Sequence, residues 1–164
     1  MNGLRIISGG QTGVDRAALD AALAAGVDCG GWCPKGRRAE DGRIAKRYPL
    51  QETESRDYSR RTRANVLDSE ATLIIFNDRE ASVTGGTRLT VTQAERAGRD
   101  LLIINLATGA AIDIYARQIM DWLTTNQIAI LNVAGPRESG SPGIYTATYD
   151  LMTRVLAGIT RSRS

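Results

Sequence analysis

The run SGGQTGVDRAALDAAL, Ser8 to Leu23, follows directly on the apolar residues Leu4, Ile6 and Ile7. A strand that ends in Gly9 and Gly10, meets Gln11 and Thr12, and turns again at Gly13 is built for a tight backbone path. Val14, Ala18, Ala21, Ala22 and Ala25 then repeat at helical spacing up to Gly26, one face of a helix closed by a glycine. Glycine lets a chain turn sharply and approach a ligand closely, and amides at a helix start face outward. Gly9 to Asp15 therefore reads as a backbone cradle for an anionic group. Thr12 would add a hydroxyl, and Asp15 would cap the helix or bond a sugar or amine. The spacing is not GxGxxG and carries no Walker lysine, so the ordinary dinucleotide and ATPase motifs are excluded.

Outward from this turn, apolar runs alternate with helical periodicity. Strands are expected at Leu4–Ser8, Val27–Cys33, Thr72–Phe76, Leu101–Asn105 and Ile128–Val133. Helices are expected near Ser59–Asp68, Thr87–Ala97, from Ile112 to Leu123, and over Gly143–Ala157. Pro34–Asp57 reads as mostly irregular, long enough to suggest a functional loop. Continuous apolar strands between amphipathic helices predict an α/β, Rossmann-like doubly wound domain, mainly parallel, of about five strands with helices on both faces. Residues 1–159 are expected to form one domain and Thr160–Ser164 a frayed tail.

Composition narrows the function. The chain has 164 residues, 42% hydrophobic and 24% charged, with a net charge of only +3. No apolar run approaches a membrane span, and the balance is too weak to argue for nucleic acid. The segment before Ser8 shows no secretory leader, which gives the expectation of a cytoplasmic protein. There is no histidine, and Cys29 and Cys33 are the only cysteines. The usual general base is thus missing, and the two thiols alone cannot complete a structural zinc site.

In a doubly wound sheet, ligands bind beyond the carboxyl ends of the strands, so the strand-to-helix loops carry the chemistry. Thr84-Gly85-Gly86-Thr87 repeats the first turn: adjacent glycines, hydroxyls and a helix, with Thr90 one turn on. The next loop offers Asn105. The last offers Gly135, Arg137, Glu138 and Ser139, where an arginine suits bidentate binding of phosphate or stands simply as a surface charge beside Glu138. In the basic segment, Lys35, Arg37 and Arg38 are placed to fold over a bound anion. Trp32 and Tyr48 offer flat faces to a ring or serve packing. These donors, without a catalytic set, describe a receptacle for a small anionic molecule.

The motifs SGGQTGVDRAALDAAL, GWCPKGRRAEDG, YPLQET, RTRANVLDSEATLIIF, TGGT and NVAGPRES together resemble the molybdenum-cofactor carrier proteins. That family is similar in fold to the lysine-decarboxylase-like, LOG-type proteins and to nucleotide-sensing Rossmannoid domains. The resemblance runs through about residues 4–157. It implies a cytoplasmic homodimer or homotetramer that binds molybdenum cofactor, shields it from oxidation and passes it to molybdoenzymes without catalysing a reaction. Gly9–Gly13, Gly85–Thr87 and Arg137 match positions expected to hold the ligand's anionic end. The alternatives are a nucleotide sensor or a LOG-like phosphoribohydrolase acting on nucleoside monophosphates. The latter carry PGGxGTxxE, whose glutamate serves the chemistry. Here TGGTRLTVTQAE puts Thr90 three residues beyond Thr87, and the nearest glutamate is Glu95. That argues against hydrolysis by the same route.

Overall fold

The computed structural model describes residues 3–162. Its centre is a five-stranded parallel sheet. In chain order the elements are β1 (Arg5–Ile7), α1 (Val14–Ala25), β2 (Asp28–Gly30), β3 (Trp32–Cys33), β4 (Arg38–Ala39), β5 (Gly42–Arg43), β6 (Gln51–Glu52), α2 (Tyr58–Leu67), β7 (Ala71–Phe76), α3 (Gly85–Arg96), β8 (Asp100–Asn105), α4 (Ile112–Thr125), β9 (Ile130–Ala134) and α5 (Ile144–Arg161). The central sheet runs β2-β1-β9-β7-β8, with Ile6 opposite Cys29 and Leu131, and Leu73 opposite Leu102 and Val133.

This order has a simple reading. Numbered from β9 as the first strand, then β1, β2, β7 and β8, the sheet reads 3-2-1-4-5, the doubly wound order in which ligands sit where the strand order reverses. That switch point falls between β9 and β7. All six residues of β7 are buried, as a strand covered on both faces requires. β8 departs from the expected buried strand. It is the sheet edge, and Ile103 is 42% exposed.

The helices form two groups, α1 with α5 and α4, and α2 with α3. Ala17, Ala18, Ala21 and Ala22 are buried along α1, and such small side chains let two helix axes approach closely. Gly26 ends α1 in the left-handed conformation, its amide bonded to Ala22 and Leu23 carbonyls. Helix α5 continues through Thr160 to Arg161, into the stretch expected to fray. Residues 163–164 of that stretch lie outside the described residues.

The segment expected to be irregular contains short pairings. β4 and β5 form an antiparallel pair, and β6 runs parallel to β3. Arg37 organises it. Only 8% exposed, its guanidinium donates to the carbonyls of Ile44 (3.0 Å), Leu50 (3.1 Å), Ala45 (2.7 Å) and Tyr48 (2.9 Å). Buried carbonyls need such donors, so one side chain replaces the ladder this stretch lacks.

Candidate functional site

A cavity of about 430 Å³ opens beyond the carboxyl ends of β1, β7 and β9, at the switch point. Three turns expected to meet a ligand reach it: Gly9, Gln11 and Asp15 from the first, Thr84 to Thr87 from the second, and Gly135 with Arg137 from the last. The sequence-based expectation of one shared rim therefore has a physical counterpart. The three turns differ, however, in what they present.

The first turn spends most of its polar groups on itself. Gln11 N donates to Asp15 Oδ2 (3.3 Å), Thr12 N to Gln11 Oε1 (3.0 Å) and Val14 N to the Pro136 carbonyl (3.2 Å). Gly13 does not line the cavity. It has φ +79°, and a Cβ there would lie 2.8 Å from the Glu138 nitrogen and still closer to Pro136 O. This glycine exists so that two loops can touch. Gly10 likewise points away, towards Leu50 and Ile44.

The last turn is also closed. Glu138 accepts from the amides of Gly143 and Tyr145 at the start of α5, filling the orphan donors of that helix. Glu40 accepts from Thr12 Oγ1, Ser139 Oγ and Ser139 N, and sits 3.6 Å from Arg137 Nε. Bonds from Ser139 and Thr12 hold the Glu40 carboxyl below the usual carboxylate range. Thr12, Glu138 and Ser139 thus bind loops to one another and lie outside the lining, while Gly135 and Arg137 face the cavity together with Pro136, Gly140 and Ser141.

The start of α3 is open. Thr84 precedes the helix with no side-chain cap. The first amide to find a carbonyl is Arg88 N, on Thr84 O at 3.3 Å. The amides of Gly85, Gly86 and Thr87 come before it, and a Cβ on either glycine would meet nothing within 4 Å. Bare amides and the positive end of a helix at a cavity wall make an anion site. Thr90 is partly committed, its hydroxyl donating to Gly86 O at 3.1 Å.

Opposite stand residues that the sequence did not single out as a site. Arg61, Asn65 and Tyr58 share the inner face of α2, at one-turn spacing, and line the cavity with Asn132 of β9. Arg61 is 7% exposed, donates to Gly9 O at 2.7 Å and lies over the Tyr58 ring. Asp15, also 7% exposed, has its carboxyl pushed up to about 6, mainly by burial, with Arg61 opposing. The i, i+4 placement of Arg61 and Asn65 ahead of Val66 was the available signal. In the sequence Arg61 merges with its exposed basic neighbours.

Other expected ligands lie elsewhere. Arg37 is fully used as the clamp, so it does not fold over an anion. Lys35 is exposed and outside the cavity lining. Arg38 bonds Arg56 O at 3.0 Å and lies 4.6 Å over the Tyr58 ring. Asn105 accepts from Asp78 N (3.2 Å) and donates to Asp78 O (2.8 Å), anchoring the loop that leads to Thr84. Cys29 and Cys33 are free, buried and outside the lining, and burial raises both thiols. Among the described residues no group of three or more His, Cys, Asp or Glu could hold a metal, and no helix is long and apolar enough to cross a membrane.

A permuted doubly wound sheet with an open helix start at its switch point defines a domain of the Rossmann-like α/β class. The chain belongs to the circularly permutated YpsA SLOG family, whose model matches residues 6–156. It is similar to a crystal structure from Syntrophus aciditrophicus named "Putative molybdenum carrier protein", with 47% identity, a TM-score of 0.88, and 93% of this chain and 94% of that one covered. No curated protein matches.

Proposed function

We propose that this protein binds and carries an anionic, ring-bearing small molecule of the molybdopterin class, molybdenum cofactor being the cargo. One observation carries the reading: the uncapped amides of Gly85–Thr87 share a cavity of about 430 Å³ with the buried cation Arg61. That volume lies within the range of small-molecule sites. The cofactor's phosphate suits the α3 start, with Arg137 at the same wall, and its pterin suits the floor beside Tyr58, Arg61 and Asp15. The donor set fits a cargo that brings its own sulfur ligands, because both protein thiols lie outside the cavity lining. Thr90, bonded to Gly86 O, stands where a LOG-type enzyme would place its glutamate, which supports carriage rather than hydrolysis. Apo-molybdoenzymes in the cytoplasm are the recipients in this reading.

Protein purified from a molybdenum-sufficient host is expected to yield the fluorescence of an oxidised pterin together with molybdenum. If both the native preparation and loading in vitro give neither, the carrier reading fails. The α3 start would also receive the phosphate of a nucleotide. A panel of nucleoside monophosphates separates that reading: release of free base would show an enzyme, and binding without release a sensor.

A further inference from the structure

Arg61 Nη1 and Asp15 Oδ2 lie 3.9 Å apart on the cavity wall. That is about 1 Å beyond the separation of a charge-assisted hydrogen bond. Both residues are only 7% exposed, where opposite charges would ordinarily close on each other. Each is instead held back by the backbone. Gly9 O takes Arg61 Nη1 at 2.7 Å, and the Gln11 amide reaches Asp15 Oδ2 at 3.3 Å. The result is an acceptor and a donor side by side, neither saturated, since a guanidinium has further N–H groups and a carboxylate further lone pairs. Asn132, 2% exposed, lies on the same lining and commits its amide nitrogen to Thr72 Oγ1 at a long 3.3 Å. Tyr58 adds a flat aromatic face beside Arg61.

We infer that the Asp15–Arg61 pair is a specificity element that reads the 2-amino-4-oxopyrimidine edge shared by pterins and guanine. On that edge a ring N–H and an exocyclic amine point the same way and match a carboxylate, and the adjacent carbonyl matches a guanidinium. Adenine presents a bare ring nitrogen in place of the N–H, which the carboxylate repels. Hypoxanthine keeps the N–H and loses the amine. Burial magnifies such differences, because an unmatched polar group in a dry site has no water to turn to. The loss of hydration that raises the Asp15 carboxyl is what two ligand N–H groups would repair.

This inference rests on the α3 start holding the ligand's phosphate, and the test separates the two. Dissociation constants are measured by calorimetry for guanosine, inosine and adenosine monophosphates, for pterin-6-carboxylate and for inorganic phosphate. The wild-type protein is expected to bind guanosine monophosphate at least about tenfold tighter than the inosine and adenosine forms, the scale of one charged hydrogen bond. Asp15→Asn is expected to bring the three nucleotides within about twofold of one another while leaving phosphate unchanged. Tighter binding of the pterin than of guanosine monophosphate would assign the edge to a pterin cargo, and the reverse order to a guanine nucleotide. Equal affinities for all three nucleotides in the wild type overturn the inference and leave the anion site standing. Failure of every probe to bind overturns both. The inosine comparison uses the wild type alone, so it decides even if the variant does not fold.

Discussion

Gly13 sits so tightly against Pro136 that a Cβ on it would collide with the Pro136 carbonyl oxygen. The two residues are far apart in the chain, and their contact seals the first turn to the last. Gly13→Ala would add that collision to a backbone at φ +79°, a region costly to side chains. A loss of about 2–4 kcal/mol in urea unfolding is expected. Gly86→Ala is the contrast. Its Cβ meets nothing within 4 Å and it lies inside α3, so stability should hold or rise by up to about 1 kcal/mol. Equal losses in the two variants would show that Gly13 is not pressed against Pro136.

The second prediction concerns Arg37. Replacement by Met keeps the aliphatic stem and removes every donor from the carbonyls of Ile44, Ala45, Tyr48 and Leu50. Some of these can turn to water, so the expected loss is about 2–4 kcal/mol. It should concentrate in the segment 38–50. Hydrogen exchange there is expected to accelerate more than in β7, and a uniform change across the protein would count against a local clamp.

The parallel sheet was legible because Thr72–Phe76 and Ile128–Val133 are apolar runs between periodic helices, and Val14, Ala18, Ala21 and Ala22 mark a helix face without ambiguity. The edge position of β8 was not, since Leu101–Asn105 is as apolar as a central strand and only pairing order reveals its exposure. Of the glycine-rich turns, Gly9, Gly85, Gly86 and Gly135 line one cavity while Gly10 and Gly13 do not, because glycine has two uses that one sequence cannot separate. At Gly13 it lets loop touch loop, and at Gly85 and Gly86 it leaves amides bare. Arg37 and Arg61 show the same ambiguity in charge. Each sits among exposed basic residues, and each is buried by partners 7 to 52 positions away in sequence.

Asp15 gives stability a pH dependence of unusual sign. Its carboxyl rises from 3.8 to about 6 on folding, through burial, against Arg61, the Gln11 amide, Arg16 and Ser8. The folded protein therefore binds this proton more tightly than the unfolded chain. The contribution is fully present below pH 3.8, is lost as pH rises to about 6, and is flat beyond. The rise corresponds to roughly 3 kcal/mol. Glu40, Asp41 and Asp57, all lowered, act the other way in acid, so the difference between wild type and Asp15→Asn isolates the effect. Asp15→Asn, whose Oδ1 can still accept from Gln11, should gain on the wild type between pH 4 and 6 and stay more stable at pH 7. A difference curve that is flat with pH would mean that Asp15 is not desolvated.

Arg137 tests the anion site from its mouth. Its side chain is 56% exposed and stands 3.6 Å from Glu40 Oε2, a loose pair that salt and water weaken. An anion at the bare start of α3 would compete with Glu40 for this guanidinium. Arg137→Ala should weaken phosphate binding by about 1.5–3 kcal/mol, with little effect on stability because the Arg137 side chain is exposed and Glu40 keeps its bonds from Thr12 and Ser139. Glu40→Gln should do the reverse. It frees Arg137 and tightens phosphate at low salt, yet it loosens the link from Thr12 to Ser139, so the melting temperature should fall. Isothermal titration with phosphate at two ionic strengths reads both variants. If Arg137→Ala binds phosphate as the wild type does while Gly85–Thr87 still bind it, the guanidinium lies outside the site and the helix start holds the anion alone.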